Sequence, residues 1–63
     1  MVSRKILDCF CEARKTQAFY TRCLDADLTE EERDLILALI MESATVSNKI
    51  SRFCSSREEG ISQ

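Results

Sequence analysis

Four cysteines, a run of carboxylates and a set of cations on one short stretch are the groups in this chain whose types could do chemistry. Zinc sites favour ligand pairs two to four residues apart, repeated at a second knuckle. Here the cysteines stand as Cys9-x-Cys11, then Cys23, then Cys54, and the chain has no histidine. On a helix, Cys9 and Cys11 point about 200° apart, so they cannot share a metal ion. No structural zinc is expected.

The carboxylates are Asp25, Asp27, Glu30, Glu31, Glu32 and Asp34. Their spacing lacks the turn glycine and the alternating ligands of a calcium-binding helix–loop–helix. Di-iron bundles use Glu-x-x-His pairs, which a chain without histidine cannot supply. The acidic run reads instead as the solvated start of a helix. Without histidine the commonest general base is missing, and a cysteine nucleophile lacks its usual partner. One glycine, Gly60, cannot form a phosphate-cradling loop. The expectation is a non-catalytic protein with no cofactor, metal or small-molecule substrate.

The cations Arg4, Lys5, Arg14, Lys15 and Arg22 lie on one stretch, with Phe19 and Tyr20 nearby. Doubled in a symmetric dimer, they could follow two phosphate backbones, which makes them the possible nucleic-acid face. The competing account is a solvated helix side. Asp8 stands four residues after Arg4, and Glu12 four after Asp8, so neighbouring charges can pair along the helix. Overall the charge is −2, too little basic excess to announce nucleic-acid binding. It is unevenly spread: +3 through Leu24, −5 from Asp25 to Asp34, and neutral beyond. Such a dipole can orient helices or subunits.

The elements that must position these groups are helices. With no proline and one glycine, the punctuation of strands and hairpins is absent. The first helix is predicted over about residues 3–24, capped by Ser3. Ile6, Cys9, Phe10, Ala13, Tyr20, Cys23 and Leu24 recur at spacings of three and four, with Thr16 or Gln17 filling the gap. The second is predicted over about 29–56. Thr29-Glu30-Glu31-Glu32 reads as a capping box whose acids suit the positive end of the helix dipole. Ile36, Ser43 and Ile50 take one heptad seam position, and Leu39, Val46 and Phe53 the other. Residues 57–63 read as a frayed tail.

Asp25 to Leu28 leaves room only for a tight connection, so residues 1–63 read as a single all-α domain, an antiparallel helical hairpin. With the turn centred near residue 27, Cys9 faces Thr45, Cys23 faces Glu31 and Cys54 lies beside the N-terminus. No two cysteines then come within the roughly 7 Å that a disulfide needs. Cys9 and Cys23 read as small packing residues and Cys11 as exposed.

Two helices form a ribbon without an enclosed core, and a chain of this size is near the lower limit for folding alone. The remedy is a four-helix bundle, by homodimerisation or by docking on another helical protein. The run from Leu35 to Met41 sharpens this. Seven consecutive apolar residues cover a helix all round, which one neighbour cannot bury. Leu37, Ala38, Met41 and Ala44 on the second helix, with Leu7 and Phe19 on the first, are assigned to the protein interface. No run approaches the roughly 20 apolar residues that cross a bilayer, and the N-terminus lacks the apolar stretch of a signal peptide. A cytoplasmic protein is expected.

At the turn, Leu24-Asp25-Ala26-Asp27 is similar to the Leu-Asp-Ala-Asp bend of the Rop family, plasmid regulators that bind RNA. Arg52-Phe53 and the tail segment Glu58-Glu59-Gly60 are similar to it too. The resemblance implies a short, dimeric helical hairpin that binds RNA through the first helix. Aligned on the turn, the phenylalanine and glutamine of that family's RNA-binding face fall on Cys9 and Ala13, so those positions are unmatched. The functional expectation is a protein–protein interaction module (regulator, adaptor, chaperone or inhibitor), with a dimeric RNA-binding regulator as the alternative.

Overall fold

The computed structural model describes residues 2–62. It consists of two antiparallel α-helices, α1 (Arg4–Cys23) and α2 (Glu30–Ser62), packed along their lengths. Ser3 caps α1: it has extended backbone, and its Oγ accepts from the Ile6 N–H at 3.3 Å. At the other end, the Leu24, Asp25 and Ala26 amides donate to carbonyls three residues back, which tightens the chain out of the helix. Thr29 then starts α2 with a reciprocal capping box. Its N–H donates to Glu32 Oε1 at 2.9 Å, and the Glu32 N–H donates to Thr29 Oγ1 at 3.1 Å. Two otherwise orphaned amides are satisfied at once.

α2 continues to Ser62, beyond the end anticipated near residue 56. No proline stops it, and adding a residue to an existing helix is far easier than nucleating one. A glycine within it costs only about 1 kcal/mol. Residue 63 lies outside the described residues.

The shape is a rod of 51 × 16 × 13 Å. Its radius of gyration is 15.0 Å, against about 11 Å for a compact domain of this length. Among the described residues no apolar side chain is buried. The two side chains that are buried, Ser43 and Ser47, are both polar. Ser43 Oγ donates to the Ile40 carbonyl at 2.9 Å, and Ser47 Oγ donates across the hairpin to Gln17 Oε1 at 3.3 Å. Small residues let the helices approach closely at this waist. On either side of it, Ile6, Phe10, Leu39, Ile40 and Ile50 are half-buried rather than enclosed.

Candidate protein-docking site

The two heptad stripes face each other. On α1 the 3.5-residue period runs Ile6, Cys9, Ala13, Thr16, Tyr20, Cys23; on α2 it runs Ile36, Leu39, Ser43, Val46, Ile50, Phe53. A cleft of about 270 Å³ at the middle of the rod is lined by Ala13, Thr16 and Tyr20 of α1 and by Leu39, Glu42, Ser43 and Val46 of α2. A second, of about 230 Å³ near the open end, is lined by Ile6, Ile50, Phe53 and Lys49. Both open on the same flank. One stripe read upward therefore meets the other read downward, with large residues at the ends and Ala13, Thr16 and Ser43 at the centre.

The seam expected from sequence is only half closed. Val46 is 51% exposed and Phe53 44%, and Cys9 lies exposed rather than packed. The reason is geometric. Each stripe is wider than one neighbouring helix covers, so its inner edge meets the other arm and its outer edge lines the clefts. Gln17 and Ser47 occupy the innermost positions. Ser47 is a seam residue that apolar patterning cannot flag, because its role is to be small. The register also differs. Gln17 meets Ser47, and Ile6 meets Ile50 and Phe53, several residues further along α2 than a turn centred at residue 27 implies. The connector holds Leu24 to Thr29, longer than the tight turn anticipated. All four cysteines are free, as neither register pairs them.

The residues assigned to the interface from sequence are on the surface but not in the clefts. Leu7, Phe19, Leu37, Ala38 and Met41 are exposed, Met41 at 72%, and Ala44 is half-buried. Leu37 sits about 160° around α2 from Leu39, and Met41 about 140° from Val46, so they belong to another side of the helix. Phe19 meets the neighbouring Tyr20 edge-to-face, with ring centroids 6.1 Å apart. Leu35, 60% exposed, lies on the cleft flank of α2.

The cations of α1 are exposed. Arg4 pairs with Asp8 at 3.7 Å and Lys15 with Glu12 at 3.3 Å, while the Arg14 guanidinium lies 5.8 Å from the centre of the Phe10 ring. Arg4, Lys15 and Arg22 project within about 20° of one another, on the side of α1 away from the clefts. No group of carboxylates and cysteines able to hold a metal ion is present among the described residues. Nor, among them, is any helix long and apolar enough to cross a membrane.

No family model matches the chain, and searches of curated proteins and of solved structures return no match. The reading of the site rests on its own geometry.

Proposed function

We propose that the chain is a non-catalytic interaction module that docks the open flank of its hairpin on helices of a protein partner. The observation that carries this reading is the lack, among the described residues, of any buried apolar side chain, together with an apolar cleft along one flank. A half-covered helix face gains most of its burial energy only when a second surface closes over it. Apart from Glu42 and Lys49 at the rim, the groups lining that flank are aliphatic, aromatic or small and hydroxylated, and they suit contact rather than bond making. The local ion pairs on α1 support a solvated role for its basic side, against the nucleic-acid alternative.

A photo-crosslinking amino acid at Val46, compared with one at Lys15 in the cells that make the protein, tests the reading. Protein adducts concentrated at Val46 are expected. Nucleic-acid adducts at Lys15 with no protein adduct at Val46 would overturn it.

A further inference from the structure

Resting on that docking reading, we infer that the occupant of the open flank is a second copy of this chain, laid antiparallel, so that each turn meets the other's open end. Surface area gives the first argument. The chain exposes 5217 Å², about a quarter more than the roughly 4,100 Å² expected for a folded protein of its mass. That excess, about 1,100 Å², is enough to supply the roughly 800 Å² each partner buries in a standard stable interface.

Charge gives the second, and it selects the arrangement. At the turn end, Arg22 and Arg33 stand against six carboxylates between Asp25 and Asp34, a net −4. At the open end, among the described side chains, Arg4, Lys5, Lys49, Arg52 and Arg57 stand against Asp8, an excess of cations. Two hairpins can close face to face around a two-fold axis in two ways. An axis along the rod sets both acidic turns together. An axis across the rod sets acidic turn on basic end, twice. The rim repeats the pattern. Glu42 borders the central cleft and Lys49 the second, seven residues apart on one flank. With the axis across the rod, α2 lies against α2, and Glu42 approaches the partner's Lys49, again twice.

Side-chain volume gives the third. The cross-rod axis passes through the small waist, so Ala13 and Val46 share a layer with the partner's Thr16 and the partner's Ser43. The next layer joins Cys9 and Ile50 to the partner's Tyr20 and the partner's Leu39. The outermost joins Ile6 and Phe53 to the partner's Cys23 and the partner's Ile36. The two layers at the axis hold only small or medium side chains, and each outer layer sets one cysteine against three large ones, so bulk is lowest where the two waists meet. The face is complementary to itself in area and charge, as an isologous interface requires.

The test uses the purified full-length chain. Light scattering is expected to give twice the chain mass at micromolar concentration. Glu42→Lys is expected to weaken the dimer about tenfold, and adding Lys49→Glu to restore it. A nitroxide at Asp27→Cys, with the four native cysteines changed to alanine, reads the orientation directly. The two labels are expected about 40–50 Å apart, given 1.5 Å of rise per residue. A monomer, a swap that fails to restore the dimer, or labels within about 20 Å of each other would overturn the inference; the distance cut-off follows from turns sharing one end. Because the swap leaves the cysteines in place, it decides the matter if the cysteine-free chain does not fold. A monomer whose Val46 crosslinker still captures a different protein would refute the second copy while leaving the docking reading intact.

Discussion

Replacing Val46 by aspartate should separate the two copies while leaving each hairpin largely helical. Val46 lies on the cleft wall and is 51% exposed in the single chain. Completing its burial is worth about 1 kcal/mol per subunit, half of the value for a whole valine side chain. A carboxylate placed in that layer without a partner adds at least about 1–3 kcal/mol of desolvation cost. Symmetry counts both twice, giving about 4–8 kcal/mol, or a dissociation constant raised about a thousandfold or more. The hairpin's own loss is limited to about 1 kcal/mol, since half of the side chain already meets water. Leu37→Asp is the matched control, because Leu37 is 43% exposed on another side of α2. Sedimentation equilibrium with circular dichroism reads mass and helicity together. An unchanged mass for Val46→Asp, or dissociation caused instead by Leu37→Asp, would refute the choice of face.

Thr29→Ala should lower stability by about 1 kcal/mol, as loss of an N-cap does, with a lower midpoint in thermal unfolding. Glu32→Ala should cost less when added to Thr29→Ala than alone, because the two hydrogen bonds form one box; strict additivity would contradict this. Among single-cysteine variants, Cys9 should be alkylated at least about tenfold more slowly than Cys11 in the assembled protein, since only Cys9 lies in a layer. Equal rates would place Cys9 outside the interface. Ser47→Leu should lower the unfolding midpoint, although it adds apolar surface to a helix. Ser47 is 4% exposed and hydrogen-bonded across the hairpin to Gln17, and overpacking such a site costs about 1–3 kcal/mol. A raised midpoint would show that the waist has room.

The helices, the Ser3 cap and the Thr29–Glu32 box were legible in sequence because each depends on residues three or four apart. The antiparallel hairpin followed from the short link between them. What sequence left hidden is set by contacts between residues distant along the chain. Apolar patterning ranks Ser47 as a surface residue, yet its small size places it at the closest approach, opposite Gln17. Patterning assigns Val46 and Phe53 to a closed seam, but about half of each stays exposed. Leu37 and Met41, assigned to the interface as residues left over from the stripes, are exposed on another side of α2. The stripes themselves stay open on their outer side, a second exposed apolar surface that patterning alone does not reveal.

The polar waist has a bearing on how the protein survives in a cell. If a second copy closes the open flank, a large share of the hairpin's stability comes from assembly, because no apolar side chain is buried among the described residues of the single chain. Stability then rises with protomer concentration. Newly made chains at low abundance spend more time open to proteases than the same chains at high abundance. Turnover then falls as the protein accumulates, so a small rise in synthesis yields a larger rise in assembled protein. In that arrangement the missing core acts as a threshold on dosage.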